Sequence, residues 1–367
     1  MNKTYQYRFT PTREQAELLA KTFGCVRFVY NHILDWRSKE YTNNQTKINY
    51  NQSSKKLTDL KKQYEWLKEV SSVPLQQVLR NQDKAFSNFF AKRAKYPNFK
   101  KRNNHQSFRL VNTAYRIIDN KIYLAKCDKP LNIKLHRKYK GDVTSVTISK
   151  DCANRYFMSL CCEHDIEHLP KNDKNIGLDL GLTHFVATSD NTKVKAPKAT
   201  IKYQKKLARL SKRLSKKQKG SNNRNKARLK VAKLHNKIKD TRKDFLHKLS
   251  TKIVSENQVI AIEDLNTAGL IRNRKLSKHI ADASWGEFTR QLEYKSLWYG
   301  RNLIKVSRWL PSSQICSHCG HRDGKKALNI RLWTCSSCNT ELDRDISASK
   351  VILKAGLAEL NNKAGLA

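Results

Sequence analysis

Three acidic residues lie in contexts where a carboxylate is unfavourable unless its charge is compensated. Asp179 lies inside the apolar stretch IGLDLGL, Glu263 closes the apolar stretch VIAIE, and Asp345 lies at or near the start of a predicted helix. An ionised carboxylate removed from water requires a cation or a set of hydrogen bonds. Taken singly, each residue has a simpler interpretation: Asp179 and Glu263 as strand-end acids at the rim of a sheet, and Asp343 and Asp345 as helix-capping residues.

The set of three is more informative than any single acid. An acid on a first strand, an acid on a later strand and an acid on a late helix of an α/β pattern form the arrangement that holds two Mg²⁺ ions in nucleases. Mg²⁺ prefers oxygen ligands and keeps several waters, so three carboxylates suffice. Two such ions suit in-line attack on a phosphodiester. Strand-transfer enzymes also use three acids, so the carboxylates alone do not separate hydrolysis from transesterification.

Four of the nine cysteines have the spacing of a metal site. Cys316 and Cys319 form one C-x2-C pair, and Cys335 and Cys338 form a second pair fifteen residues further on. This spacing predicts a zinc ribbon that binds one Zn²⁺. Four protein ligands leave no open position, so the zinc is expected to be structural. The other five cysteines have no such spacing and are interpreted as buried or inert thiols in a reducing compartment: Cys25, Cys127, Cys152, Cys161 and Cys162.

Charge indicates the class of partner. The chain has 367 residues, with 74 Lys and Arg against 31 Asp and Glu, which gives a formal net charge of +43. A partner of dense negative charge follows, and nucleic acid fits better than a membrane because no apolar run is long enough to span a bilayer. The start of the chain has no apolar segment of the secretory type, so we expect a cytoplasmic protein.

The basic residues are concentrated in one segment. Residues 201–250 hold 19 Lys or Arg and two acids, with leucines near helical spacing, which predicts two basic helices joined near Gly220. Solvated helix faces are the alternative to a phosphate-binding surface. The candidate phosphate contacts are Lys205, Lys206, Lys212, Arg213, Lys216 and Lys217.

The rest of the chain reads as three successive regions. The alternation in KTYQYRF predicts a strand, and Thr12 with Gln15 forms a capping box that starts a mostly helical region up to about Lys92. Residues 99–163 predict an antiparallel β module, and an α/β domain begins near Asn172. One predicted helix there carries a broad apolar face of Val78, Leu79, Phe86, Phe89 and Phe90, and the last helix is predicted to begin at about Ser347.

Motifs along nearly the whole chain resemble one family. They are FGCVRFVYN, YPNFKKR, SFRL, IGLDLGL, the basic segment beginning LSKRLSKKQKG, IAIEDLN, PSSQICSHCG and LDRDISASK. The chain resembles TnpB, the OrfB-type protein of insertion sequences, a family similar to the ancestors of the single-protein type V CRISPR effectors. The resemblance implies that Asp179, Glu263 and Asp345 are the residues of a RuvC-like nuclease site.

The resemblance also implies an architecture. A wedge-type β-barrel (1–10 and 99–171) would be interrupted by a helical recognition module (11–98). An RNase H-like, RuvC-type nuclease domain (172–367) would follow, with the basic helical segment 201–250 and an inserted zinc ribbon (312–341).

The implied activity is that of an endonuclease guided by RNA transcribed from the end of its own element. It would cut double-stranded DNA beside a short target-adjacent motif, while base pairing reads the target. The protein would act as a monomer with its RNA, in the cytoplasm and near the nucleoid.

One position departs from the family pattern. Members commonly have asparagine two residues after the last acid, where this chain has Ser347. Serine can still cap a helix or form a hydrogen bond, so we expect activity to survive, although with weaker support of the metal site. An RNA-guided repressor that binds DNA without cutting it is the corresponding alternative function. A transposase proper is a further alternative.

Overall fold

The chain divides into two compact units. The computed structural model describes residues 1–327 and 329–364, except for the side chains of residues 363 and 364. The first unit spans Met1–Asp165 and the second Ile166–Ala367.

The first unit combines one antiparallel sheet with three long helices. Its elements are β1 (Asn2–Phe9), α1 (Arg13–Asn44), α2 (Tyr50–Gln63), α3 (Ser72–Phe90), β2 (Gln106–Val111), β3 (Tyr115–Ile118), β4 (Lys121–Leu124), β5 (Asp142–Lys150) and β6 (Tyr156–Glu163). The main sheet has the order β1-β6-β5-β2, and β3 and β4 form a separate hairpin. The predicted strand, helices and β module are therefore confirmed, whereas closure of these strands into a wedge-type barrel stays a prediction.

Local sequence rules explain how this unit begins. Tyr5, Tyr7 and Phe9 alternate along β1 and are all buried, as the period of two requires. Thr12 and Gln15 form the predicted capping box at the start of α1. Helices and sheet share one continuous hydrophobic core.

The apolar face predicted for α3 is only partly buried. Val78, Leu79 and Phe86 lie in the core, but Phe90 is 60% exposed. The predicted helix is confirmed, and Phe90 is exposed because it closes the C-terminal turn of α3 and lies on the wall of an open cleft.

The second unit is an α/β layer. Its elements are β7 (Asn175–Leu180), β8 (Val186–Thr188), β9 (Lys193–Val194), α4 (Ala199–Ser215), α5 (Asn222–Glu256), β10 (Val259–Glu263), α6 (Thr267–Ile271), α7 (Ser277–Ala283), α8 (Trp285–Tyr299), β11 (Asn302–Val306), β12 (Leu332–Thr334), β13 (Glu341–Asp343) and α9 (Arg344–Ala364). The sheet order is β11-β10-β7-β8-β9. Strand β10 runs parallel to both β7 and β11, and β7, β8 and β9 form an antiparallel meander.

Two details of this unit bear on the site. The basic helices α4 and α5 are joined at Gly220, whose φ of +86° is readily available to glycine, as the sequence predicted. The last helix begins at Arg344 and not at about Ser347. The prediction was wrong by about one turn because Asp343 Oδ1 accepts hydrogen bonds from the N–H groups of Asp345 and Ile346, both at 3.1 Å, and so caps the helix earlier.

None of the helices in the described part of the chain has both the length and the apolar character that crossing a bilayer requires.

Candidate active site and zinc ribbon

Strand register places two of the three acids side by side. Strands β7 and β10 are parallel neighbours, and their last paired residues are Leu178 and Ile262. Asp179 and Glu263 each follow one residue later, so they lie at the same level and on the same face of the sheet. Both follow runs of buried apolar residues, which fix the two strands in the core.

The third acid is brought to this edge by helix α9, which lies tightly against β7 and β10. A Cβ added to Gly177 would lie 2.0 Å from the carbonyl oxygen of Ser349, and one added to Gly356 would lie 2.6 Å from the Cβ of Ala261. Only glycine permits this approach of helix and sheet. Asp345 lies in the first turn of α9.

The three carboxylates interact electrostatically. Burial, followed by the negative charges of Glu263 and Asp345, raises the pKa of Asp179 from its ordinary value of 3.8 to about 7. Arg344 and Arg331 act in the opposite direction. The predicted triad is therefore a cluster of like charges around a buried carboxyl group, which is the condition that a cation would relieve.

Glu263 is held by a serine that sequence reasoning did not assign. Ser312 Oγ donates a hydrogen bond of 2.6 Å to Glu263 Oε1, and Ser312 is buried. Burial raises the pKa of Glu263, and this hydrogen bond opposes the rise. The signal was present in the sequence, because Ser312 belongs to the PSSQ segment just before the first cysteine pair.

Basic side chains surround Asp345. Arg331 Nη1 lies 3.0 Å from Asp345 Oδ1, and Lys193 Nζ and His184 Nδ1 lie 3.9 and 4.0 Å from Oδ2. Asp343, in contrast, pairs with Lys193 at 2.6 Å and caps α9. The two neighbouring acids thus have different roles: Asp343 satisfies the helix N-terminus and Asp345 faces the charged cluster.

The donor set fits Mg²⁺, although the carboxylates are not drawn together as tightly as the cysteines are. Among the described residues, the four cysteines are the one group whose ligand atoms match a metal site as they stand. The acids supply oxygen ligands of the kind that Mg²⁺ prefers, and burial, followed by the charges of Glu263 and Asp345, raises the pKa of Asp179.

The four predicted zinc ligands converge. Their Sγ atoms all lie within 4.8 Å of one another, and the Cys316–Cys338 and Cys319–Cys335 separations are both 3.7 Å. Tetrahedral thiolates about 2.3 Å from a zinc ion would be about 3.8 Å apart, so the cluster could hold one Zn²⁺.

The zinc ribbon is bonded directly to the helix that carries Asp345. The buried Ser347 Oγ accepts a hydrogen bond of 3.3 Å from the N–H of Ser317, between the first two cysteines, and donates to the carbonyl oxygen of Ile315 at 3.4 Å. Lys354 Nζ donates to the carbonyl oxygen of Ser317 at 2.6 Å. The hydrogen bonds described for the Ser347 side chain are therefore with the ribbon segment and not with the three acids.

The basic helices present their charge to solvent. Helix α4 packs on α5 through a small apolar cluster that includes Ala199, Leu234 and Ile238. The six residues predicted as phosphate contacts are all exposed: Lys205, Lys206, Lys212, Arg213, Lys216 and Lys217. Their exposure is compatible both with a phosphate-binding surface and with a solvated face.

Three family models match the chain. Residues 159–274 match the OrfB_IS605 family, described as a probable transposase, and residues 285–352 match a Cas12f1-like TNB domain. Residues 1–46 match a model described as a helix-turn-helix domain, although here they form β1 and the continuous helix α1.

Relatives match over almost the whole chain, which defines the class as insertion-sequence proteins of the OrfB type. A Streptomyces pristinaespiralis protein named "Putative RNA-guided DNA endonuclease" is 46% identical over 98% of this chain and 90% of its own length. InsQ of Escherichia coli K12, which has the same designation, is 31% identical over 98% of this chain and 93% of its own length. The chain belongs to this TnpB family.

The fold resembles a solved structure. The Cas12f1 protein in a complex with single-guide RNA and target DNA superposes with a TM-score of 0.59 at 15% identity, over 93% of this chain and 83% of that one. This likeness confirms the predicted fold class in part, whereas the wedge-type barrel stays a prediction.

Proposed function

We propose that the chain is an RNA-guided, Mg²⁺-dependent endonuclease that cleaves double-stranded DNA next to a short target-adjacent motif. The observation that carries the proposal is the electrostatic coupling of Asp179 to Glu263 and Asp345, from two adjacent strands and the helix packed on them. The designation of the relative that is 46% identical over nearly the full length supports the same activity.

The three acids are the catalytic residues of the proposal and would hold two Mg²⁺ ions. Bound there, the metal would activate the attacking water and stabilise the leaving oxygen of an in-line displacement. Ser312 orients the Glu263 carboxylate through its hydrogen bond. Asp343 fixes the first turn of α9 and thereby the position of Asp345.

Positive charge balances this cluster before metal binds. Arg331 pairs with Asp345, and both Arg331 and Arg344 lower the pKa of Asp179. These cations keep a larger fraction of the carboxyl groups ionised, which is the form that binds a divalent ion.

The proposed partners follow from charge. The exposed lysines and arginines of α4 and α5 would contact the phosphate backbone of the guide RNA, and the target duplex would be recognised by base pairing with that RNA. The protein would act as a monomer with its RNA in the cytoplasm. The domain assignment proposed is a wedge module (1–10 and 99–171), a recognition module (11–98) and a nuclease domain (172–367).

The RNA that accompanies the protein tests whether it is guided. The chain is expressed beside its native flanking DNA, and the RNA that co-purifies is sequenced. A single dominant species that ends in sequence from just outside the element is the expected result. A heterogeneous mixture of cellular RNA would contradict guidance and favour an unguided nuclease or a transposase.

The transposase alternative has one observation in its favour, which is the description of the family model matched by residues 159–274. Purified protein incubated with the ends of its element and a target DNA distinguishes the two. Joined donor and target products would identify strand transfer, whereas linearised target alone identifies hydrolysis.

A further inference from the structure

An aromatic cleft opens on the helical part of the first unit. Its cavity measures about 340 Å³. The lining residues are Arg37, Tyr41, Thr46, Lys47, Ile48, Phe86, Phe89, Phe90 and Tyr96. We call this set the aromatic cleft.

The exposure of its aromatic rings is unusual for a helical core. Phe90 is 60% exposed, Tyr41 46% and Tyr96 43%, and all three lie on the wall of the same cavity. Clustered exposed apolar surface marks an interaction site more often than isolated exposed residues do. The rings are held in place from behind, because Tyr96 packs edge-on against both Phe86 and Phe89.

A buried hydrogen-bond donor without a partner lies in the same cleft. The side chain of Arg37 is 9% exposed, its Nη2 donates to the carbonyl oxygen of Ile48 and to Asp83, and its guanidinium lies 4.3 Å from the centre of the Phe86 ring. Its Nη1 is buried and has no partner among the described residues. Such a group is costly unless a ligand supplies an acceptor.

The charge of the lining defines the ligand further. Arg37 and Lys47 are basic, and none of the nine lining residues is acidic. A ligand that satisfies these features is flat enough to stack on aromatic rings, has an acceptor at its edge for Arg37 Nη1, and is attached to a negatively charged backbone. An unstacked nucleobase meets all three conditions.

We propose that the aromatic cleft binds one unstacked base of the RNA that the protein carries. The proposal rests on the proposed function for the presence of RNA, and extends it to a base-binding site in the helical region. RNA is the occupant because unpaired bases of RNA loops and bulges are recognised by stacking on aromatic side chains and by hydrogen bonds to their edges. The base stacks on the rings of Phe90 or Tyr96 and accepts a hydrogen bond from Arg37.

Photo-crosslinking of the full-length protein with its co-purified RNA tests the proposal. After irradiation at a wavelength that excites the bases, peptides are mapped by mass spectrometry. We expect a ribonucleotide adduct on the peptide that contains Phe89 and Phe90 or on the one that contains Tyr96. Absence of an adduct on both peptides, while adducts form elsewhere, would overturn the proposal, and so would a deoxynucleotide adduct when target DNA is present.

A pair of matched variants measures the contribution to binding. Phe90→Ala removes an exposed ring of the cleft, and Phe99→Ala removes a ring that is 55% exposed and is not part of the lining. We expect Phe90→Ala to weaken RNA affinity by about 5-fold to about 150-fold, the range for loss of one base stack, and Phe99→Ala to change it by less.

If Phe90→Ala and the wild type bound RNA with equal affinity, the proposal of a base-binding cleft would be wrong, and the proposed guided nuclease would be unaffected. A wild-type protein that binds no RNA would overturn the proposed function, and the cleft proposal with it. Thermal melting of both variants at the wild-type temperature shows that they fold.

Discussion

Arg331 Nη1 lies 3.0 Å from Oδ1 of Asp345, so a basic residue of the zinc-ribbon segment neutralises an acid of the candidate nuclease site. The ribbon and the acids are therefore coupled twice. The ion pair acts on Asp345 itself, and the hydrogen bond between Ser347 and Ser317 acts on the helix that carries it. The ribbon is thus a structural support of the acidic site and not only a module inserted beside it.

Removing the charge of Arg331 should move the pH dependence of metal binding. Because Arg331 lowers the pKa of Asp179, Arg331→Ala should raise that pKa further above its ordinary value. Deprotonation of the site then requires a higher pH, and the midpoint of Mg²⁺ binding against pH shifts upward. Calorimetric titration with Mg²⁺ at several pH values measures it. The control is Lys325→Ala, an exposed basic residue of the same segment, and a downward shift or equal midpoints would contradict the electrostatic account.

Asp179→Asn should stabilise the metal-free protein at neutral pH. The folded-state pKa of about 7 lies above the ordinary value of 3.8, so the folded state binds the proton more tightly. The free energy of unfolding therefore falls as pH rises from about 4 to about 7. Above that range Asp179 is ionised, and the full loss of stability from its burial is present. Its upper bound is about 4 kcal/mol. Thermal melting in a chelator should show a higher Tm for Asp179→Asn at pH 8 and a much smaller difference at pH 4. A lower Tm for Asp179→Asn than for the wild type at pH 8 would show that the ionised carboxylate of Asp179 does not destabilise the folded protein.

Zinc removal should disturb the acidic site through Ser347 and Lys354. We expect one zinc per chain in reduced, freshly purified protein, and Cys316→Ser should lose it together with order around α9. Ser347→Ala separates the two effects, because it keeps all four cysteines but removes the contacts to Ser317 and Ile315. It should retain zinc by elemental analysis and show faster amide hydrogen exchange in the first turn of α9. Unchanged exchange there would mean that the ribbon and the helix are independent.

The close approach of α9 and the sheet predicts opposite results for the same substitution at two positions. Gly177→Ala forces a Cβ to within 2.0 Å of the carbonyl oxygen of Ser349 and should cost about 1–3 kcal/mol or more. Gly24→Ala, within α1 and with no atom within 4 Å of the added Cβ, should stabilise by about 0.5–1 kcal/mol. Thermal melting compares them. A Gly177→Ala protein as stable as the wild type would show that α9 does not need this approach.

Reversing charge on α4 should weaken RNA binding in a salt-dependent way. Lys205→Glu with Lys206→Glu removes two exposed positive charges, so the affinity should fall and the plot of log affinity against log salt should become shallower. The matched control reverses Lys61 and Lys62 on α2, which lies outside the basic segment. If the slope of log affinity against log salt were unchanged in the α4 variant, this surface would be an ordinary solvated helix face that does not contact RNA.

The sequence predicted those parts of the site that depend on local patterns. Asp179 and Glu263 could be placed because each lies in or at the end of a short apolar run, and the cysteines because their spacing is nearly unambiguous. Ser312 lies in the PSSQ segment, but its partner Glu263 is far away in the chain, as Asp345 is from Lys193, so these two contacts could not be assigned. The pair of Arg331 with Asp345 depends on how the cysteine segment between them folds.

Two features that sequence reasoning missed have local physical causes. The start of α9 was placed too late because both Asp343 and Asp345 are plausible N-caps, and only the hydrogen bonds of Asp343 decide between them. Periodicity placed Phe90 on the apolar side of α3, but it does not show where that side stops being covered, and Phe90 is exposed. The role of Ser347 also required the structure, which shows its side chain hydrogen-bonded to the ribbon segment and not to the three acids.

Cleavage of a matched target tests the central claim most directly. The purified protein with its own RNA is incubated in Mg²⁺ with a plasmid that carries the matching sequence beside a randomised flank. The account predicts double-strand cleavage by the wild type and by Asp264→Asn, which changes a half-buried acid next to Glu263 that pairs with Arg308, with loss of cleavage and retention of RNA in Asp179→Ala. A plasmid that is bound but stays intact with the wild type, or an Asp179→Ala protein that cuts at the wild-type rate, would contradict it.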